Sequence, residues 1–329
     1  MLIDNHGREI NYLRLAVTDR CNLRCFYCMP EEGIDYVSKT DLLSWEEMLR
    51  VATIFAKVGV SKIRITGGEP FLRKGLMEFL KALSKIPGIE KIALTTNGTL
   101  LNGKVATLKS LGIDAINLSL DSVDAERFFK ITRRDDFAKV MHAMQEMLDH
   151  DMQVKLNMVV MEGRNIEDII PMLELTRHQA VSVRFIEEMP FNGTAGQGNE
   201  SYWSHVRILE HIKAHFPEVY KLQDPPYSTS SNYKISAFKG DFGIIAAYSR
   251  TFCGTCNRLR LTPQGLMKTC LYDHGVFNIR DLMRAGATDS EVLDALKSAL
   301  QHRAKDGYEA EKNRLANLPV SESMATIGG

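Results

Sequence analysis

The stretch TDRCNLRCFYC, residues 18–28, organises the whole chain because it places three cysteines within eleven residues. Cys21, Cys25 and Cys28 have the spacing C-x3-C-x2-C and follow a strand-like run at Tyr12–Val17. Iron–sulfur clusters and structural zinc sites normally take four protein ligands, so this loop is one ligand short of a closed site. The stretch therefore predicts a metal centre with one open position, and a zinc knuckle is the alternative.

Length and composition are those of a globular protein. The chain has 329 residues, of which 44% are hydrophobic and 25% are charged, and this suits one large domain or two ordinary ones. No run of about 18 apolar residues and no secretory signal is evident, so we expect a cytoplasmic protein that does not cross a membrane. Lys plus Arg and Asp plus Glu both number 41, which argues against bulk nucleic-acid binding.

The remaining three cysteines form a second group, Cys253, Cys256 and Cys270. Disulfide frameworks use pairs and are rare in the cytosol, so two groups of three favour two metal sites. His274 follows Cys270 closely, and C-x2-C-x13-C-x3-H is also a spacing that suits a Cys3His zinc site. From spacing alone, an open cluster and a zinc site are equally supported here.

Strand-like and helix-like segments alternate over about the first 185 residues, which implies parallel strands joined by right-handed crossovers. Periodicity does not choose between a barrel-like and an open sheet. The predicted strands are Tyr12–Val17, Lys62–Thr66, Lys91–Thr96, Ala115–Leu120, Val154–Val160 and Val181–Phe185. The predicted helices are Ser44–Lys57, which opens with a capping box, Gly75–Lys85, Lys104–Leu111, Phe137–His150, Ile166–Arg177, Ser204–His215 and Ser290–Arg303.

These strands alternate in polarity, whereas parallel strands buried on both faces are usually apolar throughout. Helices must cover the apolar face, so the polar set should line a cavity. That set includes Arg14, Lys62, Arg64, Lys155 and Arg184. Five cations with few acidic partners suggest a site for a multiply charged anion such as a nucleoside triphosphate. An antiparallel sheet with one solvated face is the alternative.

Short motifs recur where the predicted strands end, and in βα folds these ends share one face of the molecule. Gly67-Gly68-Glu69-Pro70 follows the second strand, and glycines there allow a ligand to approach the backbone. The other motifs of this kind are the cysteine loop, TNG at 96–98, SLD at 119–121 and RFIEEM at 184–189.

The cysteine loop, with an aromatic residue before its last cysteine, and the Gly-Gly-Glu run resemble the radical S-adenosylmethionine (SAM) superfamily. The resemblance implies an α/β fold, a partial (βα)6 TIM-like barrel. It implies a 4Fe–4S cluster on Cys21, Cys25 and Cys28, with SAM bound to the open iron. The positions that match the SAM contacts are Tyr27, Gly68, Ser119 and Met189.

The second cysteine group continues into CNRLR, residues 256–260, and the chain ends in Gly-Gly. With the first motif, these features resemble the GTP 3′,8-cyclase family over nearly the whole chain. The resemblance implies a second 4Fe–4S cluster on Cys253, Cys256 and Cys270, facing the guanine base. The Gly-Gly tail would reach into the active site. Triphosphate contacts fall on Arg14, Arg258 and Arg260, and other GTP contacts fall on Arg64, Thr95 and Lys155.

The activity that this resemblance implies is a lyase reaction. A radical derived from SAM removes the ribose 3′ hydrogen of GTP, and the resulting carbon radical attacks C8, giving (8S)-3′,8-cyclo-7,8-dihydroguanosine 5′-triphosphate. This is the first step of molybdenum cofactor biosynthesis, and no acid–base side chain is required. Residues 1–190 would form the radical SAM core and residues 191–329 the region with the second cluster. The implied partners are an electron donor, a second copy of the chain, and cyclic pyranopterin monophosphate synthase downstream.

Two other functions stay open at this point. One is a radical SAM enzyme whose auxiliary cluster serves a peptide or another substrate. The other is a zinc-stabilised binding protein without redox chemistry.

Overall fold

Alternating apolar residues build the strands of one large sheet, and helices of period 3.6 cover its apolar face. The computed structural model describes residues 1–29, 33–113, 115–189, 202–313 and 323–327. The glycine-rich loop at 192–199 and the terminal Gly-Gly lie outside the described residues.

The strands among the described residues are β1 Leu2–Ile3, β2 Glu9–Ile10, β3 Tyr12–Ala16, β4 Lys62–Thr66, β5 Lys91–Thr96, β6 Ala115–Ser119, β7 Gln153–Val160, β8 Val181–Glu187, β9 Val219–Lys221, β10 Ser231–Ile235, β11 Asp241–Ile245, β12 Arg258–Leu261, β13 Leu266–Lys268 and β14 Phe277–Asn278. The helices there are α1 Trp45–Ala56, α2 Leu76–Leu83, α3 Val105–Ser110, α4 Ala125–Thr132, α5 Phe137–Asp149, α6 Ile169–His178, α7 His205–His215, α8 Ile279–Arg284, α9 Asp289–Leu300, α10 Gly307–Lys312 and α11 Met324–Ile327.

The large sheet has the strand order β14-β13-β12-β3-β4-β5-β6-β7-β8-β11-β10-β9. The run from β12 to β11 is parallel, and the outer strands on both sides are antiparallel. The six predicted strands are confirmed as β3 to β8: β4 and β5 have the predicted ends, and each of the other four differs at one end by one or two residues. The antiparallel alternative is wrong, because each of these strands pairs with the next in parallel register.

The region after residue 190 joins this sheet, which the sequence did not predict. Strand β11 extends the parallel set beyond β8, and β12 extends it beyond β3. The described sheet is open, with β14 and β9 at its two edges, and this arrangement is consistent with a partial barrel.

The apolar face forms the main core. On β3 and β4, Leu13, Leu15, Ile63 and Ile65 are fully buried, while the alternate positions on those strands carry the polar set. The predicted capping box is confirmed: the Glu47 N–H donates to Ser44 Oγ at 3.1 Å, and the Ser44 N–H donates to the Glu47 carboxylate at 2.7 Å.

The helix predictions differ from the structure in two places. Helix α4 was not predicted, because its eight residues carry little overall apolar character. The helix predicted from Ile166 begins as a 3-10 turn and becomes an α-helix only at Ile169. Among the described residues, no helix has the length and apolar character required to cross a membrane.

Candidate active site

The first cysteine loop, residues 17–29, leaves the carboxyl end of β3 and is tied by backbone hydrogen bonds to the loop that follows β4. Gly68 N–H donates to Thr18 O at 2.8 Å, and Glu69 N–H donates to Arg20 O at 2.7 Å. Within the loop, Cys28 N–H donates to Cys25 O at 3.0 Å, which turns the chain between these two cysteines.

The three thiols of this loop are half-buried and influence one another. Burial, followed by the nearby Asp121 and the other two cysteines, raises the pKa of Cys25 well above its usual range. The pKa of Cys21 is raised to about 11 and that of Cys28 to about 12, in both cases mainly by burial. A cationic group bound by all three sulfur atoms would stabilise their thiolate forms and so release the protons.

The glycines after β4 allow the two loops to come this close. A Cβ on Gly68 would lie 2.3 Å from Arg20 O, and a Cβ on Gly67, whose φ is +149°, would lie 2.5 Å from Thr18 O. The next residue, Glu69, is fully buried and accepts hydrogen bonds from Thr96 Oγ1 at 2.8 Å and from Asn97 N at 2.7 Å. The predicted meeting of strand-end motifs is therefore observed for the loops after β3, β4 and β5.

Tyr27 and Ser119 lie at the same edge of the sheet. The Tyr27 hydroxyl donates to Asp121 Oδ2 at 2.7 Å, and Asp121 Oδ1 accepts from the Val159 N–H at 2.9 Å. Ser119 is the last residue of β6 and is opposite Asn157 of β7. Burial raises the pKa of Asp121 to about 6, despite the hydrogen bonds from Tyr27 and Val159 that stabilise its charge.

Met189 has a different set of neighbours. It packs in a small cluster with Leu271, Met324 and Ile327, and the Tyr272 hydroxyl contacts its Sδ at 3.3 Å. Leu271 and Tyr272 directly follow Cys270, so Met189 lies against the second cysteine group.

The C-terminal segment 323–327 bridges the two cysteine regions, which sequence reasoning missed. Its Ser323 hydroxyl donates to Cys28 O at 2.6 Å, while Ile327 packs against Leu271. Nothing in the composition of this segment signals that contact.

Strand pairing assembles the second cysteine group. Cys256 precedes β12 by two residues and Cys270 follows β13 by two, and these strands are antiparallel with Arg260 opposite Lys268. The two cysteines therefore lie at the same end of the strand pair. Because β12 runs parallel to β3, that end is opposite to the one from which the first cysteine loop emerges.

The pKa values of the cysteines in this second group are shifted in different directions. Burial opposes ionisation of Cys256, but the nearby Arg258 and Arg303 outweigh it and lower the pKa of the Cys256 thiol to about 7. Burial raises the pKa of Cys270 to about 11 and also raises that of Cys253. The Cys270 N–H donates to Asp273 Oδ2 at 2.7 Å, which fixes the turn at that cysteine.

The Cys3His zinc site at Cys253, Cys256, Cys270 and His274 and the open cluster on the same three cysteines both stay predictions. In the part of the chain that the structure describes, no three His, Cys, Asp or Glu side chains converge as ligands of one metal ion. A single zinc draws its ligands to about 2.0–2.3 Å, whereas a cluster binds each thiolate through a separate iron.

A row of cations crosses the polar face between the two cysteine groups. Strand register places Arg260 beside Arg14 and Arg14 beside Arg64, while the next row aligns Arg258, Tyr12 and Lys62. We call this set, together with Lys155, the cationic face. Its members are Arg14, Lys62, Arg64, Lys155, Arg258 and Arg260.

Two hydroxyl groups accept hydrogen bonds from Arg64 at the centre of the cationic face. Arg64 Nε donates to the Tyr12 hydroxyl at 2.6 Å, and Arg64 Nη1 donates to Thr95 Oγ1 at 3.3 Å. Thr95 is opposite Asn117, which is opposite Lys155, so the predicted substrate residues share one surface. Sequence reasoning missed Tyr12, although it occupies the same strand face as Arg14.

The arginines of the cationic face repel one another. Burial, and then repulsion from Arg258 and Arg64, lowers the pKa of Arg14, despite its favourable interaction with Tyr12. Burial and repulsion from Arg14 and Arg258 also lower the pKa of Arg260. Among the described atoms, Arg14 Nε and Arg258 Nε and Nη2 are buried without a hydrogen-bond partner. An anion with several oxygen atoms fits such donors.

The structure corrects the prediction made for Arg184. The sequence suggested that the five strand cations have few acidic partners, but Arg184 Nη1 forms an ion pair with Asp241 Oδ1 at 3.0 Å. Asp241 begins β11, a strand that was not predicted, so its approach to β8 was not evident from the sequence.

Comparison with protein families gives two matches along the chain. A model of the radical SAM superfamily matches residues 15–176, and one described as Molybdenum Cofactor Synthesis C matches residues 181–309. The GTP 3′,8-cyclase of Syntrophomonas wolfei is 40% identical over 341 residues, which cover 100% of this chain and 100% of that protein. The mitochondrial GTP 3′,8-cyclase of Arabidopsis thaliana is 38% identical, covering 100% of this chain and 84% of that protein.

Some relatives are longer. Molybdenum cofactor biosynthesis protein moc-5 of Caenorhabditis elegans is 39% identical over 99% of this chain but only 54% of its own length. The chain thus spans about half the length of that relative.

Solved structures share the fold at low identity. SuiB of Streptococcus suis has a TM-score of 0.58 and 14% identity, covering 85% of this chain and 63% of that one. A structure of anSMEcpe with bound AdoMet and a peptide has a TM-score of 0.59 and 16% identity, covering 88% and 82%.

Replacing Gly68 with Ala should loosen the first cysteine loop. The new Cβ would press on the Arg20 backbone, and overpacking of this kind costs about 1–3 kcal/mol. We expect a lower urea midpoint for Gly68→Ala than for Gly254→Ala, the matched control in the other cysteine loop, where a Cβ meets no atom within 4 Å. Equal midpoints for the two variants would contradict the close packing of the loops.

Proposed function

The chain belongs to the GTP 3′,8-cyclase family of the radical SAM superfamily, and we propose that it converts GTP to (8S)-3′,8-cyclo-7,8-dihydroguanosine 5′-triphosphate. This is the first step of molybdenum cofactor biosynthesis, and it classes the protein as a lyase. The proposal rests mainly on the cationic face. This face lies between the two cysteine groups, which are at opposite ends of the parallel strand pair of β3 and β12.

The first cysteine group fits an iron–sulfur cluster because one short loop carries three thiols that influence one another, and the glycines after β4 pack closely against that loop. Cys21, Cys25 and Cys28 would hold that cluster, and Tyr27, Gly68, Ser119 and Met189 would contact SAM. When bound, the cluster and SAM supply the carbon radical for hydrogen abstraction. The protein's own contribution is to fix the site: Asp121 holds Tyr27, and the Gly68 backbone is tied to Thr18.

The cationic face would bind the triphosphate. Arg14, Arg258 and Arg260 would take the phosphate oxygens through charge-assisted hydrogen bonds, and among the described atoms Arg14 Nε and Arg258 Nε and Nη2 are buried donors without a partner. Arg64, Thr95 and Lys155 would contact the remainder of GTP. Rigid strands carry all six residues, so the substrate would be positioned by groups that do not need to reorganise.

The second group, Cys253, Cys256 and Cys270, would hold a second 4Fe–4S cluster that faces the guanine base. We accordingly assign residues 1–190 to the radical SAM core and residues 191–329 to the region that closes the substrate site. The homodimer, the electron donor, the role of cyclic pyranopterin monophosphate synthase as next enzyme and the cytoplasmic location stay predictions.

A peptide-modifying radical SAM enzyme is the main rival. SuiB and anSMEcpe share the fold, and both are described in solved structures with peptides bound. The buried guanidinium donors without partners favour a phosphorylated substrate over an ordinary peptide.

Anaerobic reconstitution with iron and sulfide tests the proposed function directly. We expect about eight irons per chain, which corresponds to two 4Fe–4S clusters, and SAM cleavage that yields 5′-deoxyadenosine and the cyclised nucleotide when GTP and a reductant are present. The triple alanine variant of Cys253, Cys256 and Cys270 should hold about four irons and form no cyclised nucleotide. Bound zinc in a colourless protein, or no SAM cleavage with GTP, would contradict the proposal.

Arg260→Ala should weaken GTP binding about tenfold to a hundredfold, because a charge-assisted hydrogen bond to phosphate contributes about 1.5–3 kcal/mol. Affinity for guanosine, which has no phosphate, should change much less. Calorimetric titration of both ligands, with the surface variant Arg134→Ala as control, measures the difference. Unchanged GTP affinity in Arg260→Ala would favour the peptide rival.

GTP affinity should also fall as pH rises from about 6.5 to 8.5. The cations Arg64, Arg14 and Lys62 outweigh burial and lower the pKa of Tyr12 to about 7, so the phenol becomes an anion within this range. Burial and the neighbouring cations lower the pKa of Lys155 to about 8, so its positive charge is lost there as well. Both changes make the face less positive.

The double variant Tyr12→Phe with Lys155→Arg checks this pH dependence. Neither of the two introduced side chains titrates between about pH 6.5 and 8.5. Calorimetry should give a flatter affinity profile for the double variant than for the unmodified protein. Identical profiles would show that these two side chains do not set the charge felt by the nucleotide.

A further inference from the structure

Three side chains from the two ends of the chain form a hydrogen-bond network against the backbone of the second cysteine group. Asp4 and Arg8 belong to the N-terminal hairpin of β1 and β2, and Arg303 follows α9. All three are buried, with exposed fractions of 4%, 9% and 3%. We call Asp4, Arg8 and Arg303 the hairpin clamp.

Arg303 donates hydrogen bonds along the second cysteine group. Its Nη2 lies 3.3 Å from Cys256 Sγ, and its Nη1 donates to Cys256 O at 3.0 Å. Its Nε donates to Thr269 O, one residue before Cys270, at 3.0 Å, and Nη2 also donates to Arg258 O at 3.1 Å. With the bond from Nη1 to Asp4, these contacts use the five N–H donors of the guanidinium.

Arg8 fixes the third cysteine. Its Nη1 donates to Cys253 O at 3.1 Å and to Lys305 O at 2.6 Å, and its Nη2 donates to Ala304 O at 3.0 Å. Between them, Arg8 and Arg303 contact the backbone at Cys253 and Cys256 and the residue before Cys270.

Asp4 joins the two arginines. Its Oδ2 accepts from Arg8 Nε at 2.6 Å and from Arg303 Nη1 at 2.9 Å, while its Oδ1 accepts from the N–H groups of His6 and Arg8, both at 2.9 Å. A buried polar network satisfied to this degree favours a single arrangement, because removing one of its three side chains leaves buried charge without a partner.

A purely structural ion pair would not need to contact a sulfur atom. The pair of Arg127 and the fully buried Asp168, with Nε to Oδ2 at 2.7 Å, also ties distant segments, but none of its described bonds reaches a cysteine. In the hairpin clamp, two cations and one anion leave one positive charge beside Cys256. Hydrogen bonds to sulfur and local charge are factors that set the reduction potential of iron–sulfur clusters.

We propose that the hairpin clamp is a positioning device that holds Cys253, Cys256 and Cys270 ready for their cluster and, through the Arg303 contact with Cys256 Sγ, raises the reduction potential of that cluster. The inference rests on the proposed function in one respect, namely that this group binds a cluster. Positive charge at the sulfur stabilises the reduced, more negative form, which gives the direction of the shift.

The experiment uses the full chain with Cys21, Cys25 and Cys28 replaced by alanine, so that only the second site can hold iron. This parent, reconstituted anaerobically, is compared with the same chain carrying Arg303→Gln. We expect iron release to a chelator to be about tenfold faster in the variant, as for other groups that support metal ligands. The midpoint potential, followed by electron paramagnetic resonance, should be more negative. Neither readout depends on enzyme turnover.

Arg127→Gln in the same parent is the matched control, since it also removes the partner of a buried aspartate. It should leave both the iron release rate and the potential unchanged. Arg303→Lys retains the charge but loses the forked donors, so faster release is expected with a smaller change in potential. If Arg303→Gln prevents folding, Arg303→Lys decides, and parent-like release and potential in it would overturn the proposal.

The outcomes separate the two levels of inference. Parent-like release and potential in Arg303→Gln would overturn the hairpin clamp while leaving the second cluster in place. A parent that binds no cluster would overturn the second cluster of the proposed function, and the clamp with it. Loss of only the second cluster from Arg303→Gln in the chain with all six cysteines would support the positioning role.

Discussion

The parallel pairing of β12 with β3 is the constraint on which the rest of the site depends. It aligns Arg258 with Tyr12 and Arg260 with Arg14, and so adds two cations from the C-terminal region to the face formed by the first strands. The same pairing sends the two cysteine groups to opposite ends, because one precedes β12 and the other follows β3. Without it, the chain would contain two cysteine groups but no defined space between them.

The pairing of β12 with β3 brings the arginine side chains of both strands together on the polar face. Their mutual repulsion lowers the stability of the fold. Burial lowers the pKa of Arg14 and Arg260, and among the described atoms Arg14 Nε and Arg258 Nε and Nη2 are buried without a hydrogen-bond partner. Unpaired buried charge destabilises a protein, so such a cluster is typical of sites that bind anions. The apolar face, with Leu13, Ile63 and their neighbours fully buried, supplies the core that tolerates this arrangement.

The two cysteine groups are supported in different ways. Backbone hydrogen bonds and glycine packing fix the first loop against the strand that follows it, so its support is local in sequence. The second group depends on a hairpin at one end of the chain and on Arg303 near the other, with a separation of 299 positions between Asp4 and Arg303. Segment 323–327 then contacts both regions. The second site therefore forms only when the tertiary fold is complete.

The βα order, the two cysteine groups and most of the cationic face could be predicted from the amino-acid sequence, because strand periodicity of two and cysteine spacing are local properties. The pairing of β11 and β12 with the sheet, the ion pair of Asp241 with Arg184 and the position of Tyr12 among the cations became evident from the three-dimensional fold. The same fold also revealed the hairpin clamp, since no local pattern connects Asp4 and Arg8 with Arg303. Long-range register and buried charge networks depend on how distant segments pack, and this information is not contained in any short stretch of the chain.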